Sequence, residues 1–594
     1  MNHLYTTEGE KIKEILEKKQ FDFIPLSEYP RPTLVRKNSH IILNGFWDFS
    51  TINNGKETKQ IQKILVPFSP ESLLSGINTH FTEGTELCYK RNFFIPEGFN
   101  KGKILLHLGA VDQKATIYVN DKKVGEHIGG YSPFSFDISE FVCEKENHLK
   151  IIAVDDLNDK SLPYGKQRIK RKGMWYTPVS GIWQTVWIET VPRKYINNVE
   201  IKTTKNNVKI TVNDSINGYA ILKNIIDEKE EELLKIEIKN GEAEFEINDP
   251  IYWSPENPHL YYLSVCAIND FGDEIIDEIQ TYFALRTLEI KKFSGTSYLC
   301  LNGKPYYFHG MLDQGYWSDG IYTPASYKCF IDDILLAKSL GFNTLRKHIK
   351  MEPERFYYEC DRHGVVVFQD MINNGDYNFI RDTALPTVGI RKLNDKNLHK
   401  DKKTREEFKR CTEEIIQTLK KHPSVCLWTI FNEGWGQFDG NSMFDFVLKL
   451  DDTRFIDTAS GWFYCSKSHV ESIHKYFSEY KHKRADKPVI LSEFGGYSYK
   501  INEHSFNLDN TYGYGKINSE KEFNEAVFKL YKDQIIPAIK DGLSADIYTQ
   551  ISDVEDETNG FITYDRKVLK ISSDVMNDIK NDIQKEMDKI IQKN

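Results

Sequence analysis

Over the first 190 residues apolar and polar positions alternate in short runs bounded by turn residues, as in KILLHLGAV (103–111), ATIYVNDKKVGEH (115–127), HLKIIAVDD (148–156) and WQTVWIETV (183–191). A period of two sends successive side chains to opposite faces and predicts half-buried strands rather than helices. NDKK (120–123) supplies a turn between two of them. After a short helical stretch within residues 1–20, residues 1–192 read as a two-sheet β sandwich of jelly-roll type. A second block of alternating runs, including NVEIKTT (198–204), LLKIEIKN (233–240) and LYYLSVCAIND (260–270), fills 193–286 and predicts an immunoglobulin-like β-sandwich. Cys266 has no partner in a Cys…Trp…Cys pattern, so no bridge of antibody type is expected.

Past residue 295 the pattern changes. Eight strand-like runs follow: PYYFHGML, NTLRKH, VVVFQD, SVCLWTIFNE, FIDTAS, VESIHKY, PVILSEFG and LSADIYTQIS. Longer segments of helical period separate several of them, such as ASYKCFIDDILLAKSLG (325–341) and KKTREEFKRCTEEIIQTLKKH (402–422). Buried strands joined by helical or loop crossovers predict a parallel sheet. Eight of them over residues 287–594 predict a (β/α)8 TIM barrel.

Two of these strands end in a way that packing does not explain. SVCLWTIF runs into Asn432-Glu433, and PVILS runs into Glu493. In a parallel barrel the chemistry lies just past the C-terminal strand ends. Strands four and seven face one another across the mouth, so the two carboxylates can converge there. A convergent pair is what glycoside hydrolysis needs: one group protonates the leaving oxygen and the other attacks the anomeric carbon or activates water. A single strand-end glutamate is more often a cap or an arginine partner. Two of them, each followed by glycine within two positions, favour chemistry.

Composition narrows the alternatives. A formal net charge of −9 argues against a nucleic-acid or anionic-membrane partner. The N-terminal MNHLYTTEGEKIKEILEKK has no continuous apolar core of a signal peptide, and no run of eighteen apolar residues occurs. Nine cysteines without any CxxC pair suit free thiols, and the expectation is a cytoplasmic protein. No His/Cys cluster has metal-ligand spacing, so no metal or cofactor is expected to be required, with room for an accessory cation. A homo-oligomer is compatible with the sequence. Aromatics reach 13%, which suits sugar stacking and β-sandwich cores alike and so decides neither.

With these motifs in view the chain resembles glycoside hydrolase family 2, the family of β-galactosidase and β-glucuronidase. The resemblance runs through LNGFWDFS (43–50), LGAVDQKATIYVNDKKVG (108–125), VSGIWQTVWIE (179–189), YWSPENPHLYYL (252–263), GFNTLRKH (341–348), HPSVCLWTIFNEGWGQ (422–437) and PVILSEFGG (488–496), the last two being the most specific. It implies that the first domain is a sugar-binding jelly roll and that the barrel is catalytic. It implies Glu433 as the acid/base, Glu493 as the nucleophile, Asn432 as a bond to the sugar 2-hydroxyl, and Arg346 as the cation holding the nucleophile ionised. Tyr476 resembles the tyrosine bonded to the nucleophile, with a core tyrosine as the equal alternative, and His474 shares that ambiguity. His348 stands one place from the family's usual histidine.

The same motifs bear on the sugar. Where well-known members place an aspartate before GI of the first domain, this chain has Trp175. The asparagine–lysine pair with which glucuronidases hold the sugar carboxylate is not visible in YTQISDVEDETNGFITYDR (548–566). In their place Asp313, Gln314, Tyr316 and Trp317 beyond strand one, Asp370 and Asn374 at strand three, Trp435 after the acid and Trp462 after strand five are candidate sugar contacts. Asp556 and Glu557 read as a solvated acidic loop, whereas Asp553 and Glu555 could hold a cation or an inner hydroxyl. The cations open to a uronate are Arg566, Lys567 and the segment 389–403, the last better read as surface. The expectation is a retaining exo-β-glycosidase acting on a neutral terminal sugar, with β-galactoside as the modal substrate. β-Glucuronide and β-mannoside stay open, as does an inverting hydrolase. The competing class is a non-catalytic carbohydrate-binding protein on the same fold; it would usually have lost one of the two carboxylates.

Overall fold

The computed structural model describes residues 2–213, 216–226, 229–269, 271–272, 274–387, 390, 394–476 and 478–592. The N-terminal helix Thr7–Lys18 begins on Thr6, whose hydroxyl accepts from the Gly9 amide and so satisfies a free helix-end donor. Two antiparallel sheets follow, of four and seven strands. Their alternation is that of the sequence: Lys114–Val119 buries every second residue. Trp47, Phe49, Tyr89, Leu106, Ile117, Ile151 and Ile188 meet between the sheets as one core. The next domain stacks a three-stranded on a four-stranded antiparallel sheet, with Val208, Ile210, Leu263, Val265 and Ile279 inside. Cys266 is free, like the other eight cysteines.

The last region forms one eight-stranded parallel sheet. Its strands are Phe308–Asp313, Thr344–Lys347, Val366–Asp370, Val425–Asn432, Phe455–Ser460, Glu471–Lys475, Val489–Phe494 and Leu543–Tyr548. Ladders link them in ring order, except between the fifth and sixth, where none is found among the described residues. Every residue of the fourth and seventh strands is buried, which explains their unbroken apolar runs. The crossovers include the helices Tyr327–Ser339, Glu354–His363, Lys402–Leu419 and Gly440–Leu450. The helical segment before the eighth strand is broken. An α-helix Glu520–Leu530 passes into a π-turn Tyr531–Ile535 and a short α-turn containing Pro537. Proline cannot donate in an α ladder, and a π-turn there absorbs the mismatch. No helix among the described residues is long and apolar enough to cross a membrane.

Candidate active site

The strand ends build the site. Glu433 leaves the fourth strand in the left-handed region, at φ 50°, and its amide donates to the Ser460 carbonyl at 2.9 Å. A non-glycine residue held there costs on the order of 1–3 kcal/mol. The following Gly434 (φ 76°) has the Phe463 ring 2.3 Å from where a Cβ would sit, so only glycine lets the chain turn away and leave the carboxylate at the mouth. Gly495 does the same beyond Glu493, against the Tyr548 ring. One oxygen of Glu433 and one of Glu493 lie within 4.8 Å of each other, with a nitrogen of His474 equally close. The two glutamates and His474 are all buried.

Arg346 organises this centre. Its Nε donates to Asp370 Oδ1 at 2.9 Å, Nη1 to the Ser492 carbonyl at 2.9 Å and to Glu493 Oε1 at 3.0 Å, and Nη2 to Asn432 Oδ1 at 2.9 Å. Asn432 is thereby fixed by its oxygen, and its Nδ2 is left to donate into the mouth. Tyr476 donates to the second oxygen of Glu493, and Tyr514 stacks on its ring at 4.0 Å. Burial and then the Glu493 charge push the Tyr476 phenol well above its usual pKa, so it stays a donor. Burial alone would also raise Glu493. The charges of His474 and Arg346 reverse that and hold its carboxyl at about 2.

His474 stands between the carboxylates. Its Nδ1 is 2.9 Å from Glu433 Oε1, and its Nε2 is 2.9 Å from the Ser460 hydroxyl and 3.6 Å from Glu493 Oε1. Asp370 binds both Arg346 and His348, the latter at 2.6 Å through Nδ1. Burial first, and then the nearby Lys166 charge, lower His348 to about 4, so the ring is neutral near pH 7 and donates its Nδ1 hydrogen to Asp370. Trp435 is buried and stacks on Trp175 at 5.2 Å and 28°. Trp462 is half-buried at the rim, 6.2 Å from the His474 ring.

Several expected contacts are placed elsewhere. Asp313 does not face the mouth. It pairs with Lys347 at 2.6 Å, beside Glu352, on the helix side of the first two strands. The reason is register: Leu312 lies opposite Arg346, so Asp313 lies opposite Lys347 and shares its outward direction. Trp317 is buried against Phe330 and Arg566, and Asn374 donates to the carbonyls of Ser161 and of Thr404 in the first turn of the helix Lys402–Leu419. Arg566 is taken by Asp333 and Lys567 by Glu10. Asp553 pairs with Lys570 at 2.6 Å and Glu555 with Arg171 at 2.9 Å. Glu557 is not a solvated loop residue. It is buried, and its Oε2 accepts from Tyr176 at 2.7 Å and Gln550 at 2.9 Å. Of the basic segment 389–403, Arg391 and Lys392 lie outside the described residues.

Sequence reasoning missed Lys166 and Tyr176, which the N-terminal sandwich carries to the barrel mouth. The signal was present as a basic run, KQRIKRK (166–172), just before Trp175. Glu433, His474 and Glu493 also form a two-carboxylate, one-imidazole set whose donor atoms lie close enough together to bind a cation.

Comparison with known proteins matches the three-domain organisation. Family models match three consecutive stretches: the glycosyl hydrolases family 2 sugar binding domain over residues 75–192, the glycosyl hydrolases family 2 domain over 184–286, and the family 2 TIM barrel domain over 292–574. The chain belongs to glycoside hydrolase family 2. Within that family it is 23% identical over 531 residues to a β-glucuronidase of Paenibacillus borealis, covering 79% of this chain and 84% of that one. It is 27% identical over 387 residues to a β-galactosidase of Thermoanaerobacter pseudethanolicus, covering 62% of this chain and 47% of that one. It spans about half, 52%, of a third family relative, from Formosa agariphila. The fold matches the β-D-glucuronidase structure from Dictyoglomus thermophilum with a TM-score of 0.70 at 21% identity, covering 94% of this chain and 98% of that one.

Proposed function

We propose that this family 2 chain is a retaining exo-β-glycosidase, with Glu493 as nucleophile and Glu433 as acid/base. The observation that carries the reading is the approach of one oxygen of each glutamate to within 4.8 Å. Retaining enzymes keep their carboxyls about 5–5.5 Å apart, whereas inverting ones leave about 6.5–9.5 Å for a water. Glu493, held at about 2, is ionised and ready to attack C1. Glu433 protonates the departing oxygen, then takes a proton from the water that releases the sugar. Asn432 Nδ2 is free to bond the 2-hydroxyl, a contact that strengthens as positive charge develops on the ring. Two carboxylates suffice for this chemistry, so no metal is invoked. Proton NMR of a p-nitrophenyl β-glycoside during turnover tests the reading. The first anomer released is β; an α-anomer released first rules out double displacement.

For the sugar, the β-glucuronidase names among the relatives favour a β-uronoside over the β-galactoside that the sequence put first. The sequence-based objection to a uronoside was the lack of a free cation, and Lys166 removes it. The second reading is a neutral β-pyranoside such as β-galactoside. It is favoured by Glu557, a buried carboxylate near Lys166 that would repel a uronate and accept from hydroxyls. Initial rates on p-nitrophenyl β-glucuronide and β-galactoside at equal concentration separate the two.

A further inference from the structure

Six lysine and arginine residues are buried among the described residues: Arg36, Lys166, Arg346, Lys347, Lys350 and Lys570. Five of them have a carboxylate within 4.0 Å. Arg36 has Asp277, Arg346 has Asp370 and Glu493, Lys347 has Asp313, Lys350 has Glu352 and Lys570 has Asp553. The ammonium of Lys166, a residue only 7% exposed, makes no hydrogen bond and no ion pair within 4.0 Å with any described residue, although the buried Glu557 carboxylate is near. Burying an ammonium without a directly paired counter-charge is costly. Its nearest compensation is aromatic: Nζ lies 5.5 Å from the Tyr176 ring centroid and 5.7 Å from that of Trp435. Such contacts return about 0.5–2 kcal/mol, too little to explain the placement.

The backbone aims this side chain deliberately. The Tyr176 amide donates to the Lys166 carbonyl at 3.0 Å, and the Arg168 amide donates to the Tyr176 carbonyl at 3.1 Å. The two residues form a clamped pair at the tip of the N-terminal loop. Tyr176 is tied in turn to Glu557 beyond the eighth strand, at 2.7 Å. Lys166 is therefore held over the mouth by the barrel itself. Its positive charge is felt at Glu557, His348 and Glu493, and its Nζ lies over Trp435, so it stands within reach of the barrel mouth.

We propose that Lys166 is the residue that binds the carboxylate of a terminal uronosyl unit, supplied by the N-terminal domain rather than by the barrel. This rests on the uronoside reading above. An ammonium offers three donors and a compact charge, which matches one carboxylate approaching an otherwise aromatic wall. The uronate supplies the direct ion-pair partner that Lys166 lacks, since Glu557 and Glu493 act on it only from beyond ion-pair distance, so ligand binding offsets part of the cost of its burial. A neutral sugar cannot do this with hydroxyls alone.

The test compares p-nitrophenyl β-glucuronide with β-glucoside, which differ only in carboxylate against hydroxymethyl at C5. In the Lys166→Met enzyme the glucuronide-to-glucoside ratio of kcat/KM falls about 100-fold, mainly through KM, as expected for truncating one partner of a buried charge pair. Lys166→Arg keeps the ratio within about tenfold, because the charge is retained. Free glucuronate raises the melting temperature of the native enzyme but not of Lys166→Gln, which provides a binding readout if the methionine variant folds poorly. Equal loss on both substrates overturns the assignment while leaving the uronoside reading intact. A native enzyme that cleaves the glucoside or galactoside but not the glucuronide overturns the uronoside reading, and the assignment with it, before any variant is made.

Discussion

Arg346 donates to Glu493 Oε1 at 3.0 Å, while Glu433, across the mouth, has only the His474 imidazole at 2.9 Å as a side-chain partner among the described residues. This asymmetry fits the different roles proposed for two otherwise similar glutamates. Glu493 is bound by a cation and a phenol and is kept as an anion. Glu433 has the looser surroundings that a group cycling between acid and base requires.

That difference predicts unequal mutants. Glu493→Gln abolishes turnover of every substrate, because the glycosyl-enzyme can no longer form. Glu433→Ala retains activity on a dinitrophenyl glycoside, whose leaving group needs no protonation, and azide raises its rate by capturing the glycosyl-enzyme. The readout is steady-state rate with and without azide, together with isolation of the β-glycosyl azide. Azide rescue of the Glu493 variant instead, or of neither, would reverse or remove the assignment.

The second prediction concerns pH. Glu493 is depressed from an ordinary 4.5 to about 2, so its contribution to stability is complete above about pH 4.5 and is lost as the pH falls from there through about 2. It is ionised throughout the range in which the folded enzyme works. The acid limb of kcat/KM is then not set by the nucleophile in the native protein. Arg346→Gln removes one of the charges opposing burial, and Glu493 rises. The stability that ionised Glu493 contributes is then lost at a higher pH than in the native protein, which urea unfolding at several acid pH values reads directly. An unchanged pH dependence of stability would show that Arg346 does not set this ionisation.

Much of this arrangement was legible in the sequence. The apolar runs of the fourth and seventh strands ended in the glutamates that those strands deliver to the mouth. Asp313, read only from its place beyond the first strand, was misplaced, because its direction follows from pairing with the next strand. Lys166 and Glu557 were not legible. Each sits in a charged loop that reads as solvated, and each is buried only because two distant domains meet over the mouth. Loop charge is a local property, whereas loop burial is set by tertiary contacts.

The corrected position of Asp313 makes a third prediction. Asp313→Asn leaves KM for p-nitrophenyl glycosides within about twofold, since the side chain faces the helix layer. It lowers stability, because Lys347 stays buried with only Glu352 as a charge partner. The loss is below the about 3–5 kcal/mol of a fully orphaned buried charge. Urea unfolding measures it. A large rise in KM with unchanged stability would return Asp313 to the sugar pocket.

The last prediction follows from the cluster of Glu433, His474 and Glu493, whose donor atoms lie within 4.8 Å of one another. Two carboxylate oxygens and an imidazole nitrogen are a donor set that suits Zn2+ and leaves an open position. A zinc ion there would occupy the space of the anomeric carbon and tie up both catalytic oxygens. Added Zn2+ therefore inhibits in competition with substrate, and EDTA restores the rate. Mg2+ at the same concentration does little, because it demands oxygen ligands in octahedral array. Metal binding requires a neutral imidazole and ionised carboxylates, so inhibition strengthens as pH rises through the range where these groups lose protons. His474→Asn weakens it by removing the nitrogen ligand while both glutamates remain. Inhibition constants at several pH values, in both proteins, give the answer. Inhibition that is non-competitive, or unchanged in the His474 variant, would place the zinc elsewhere on the molecule.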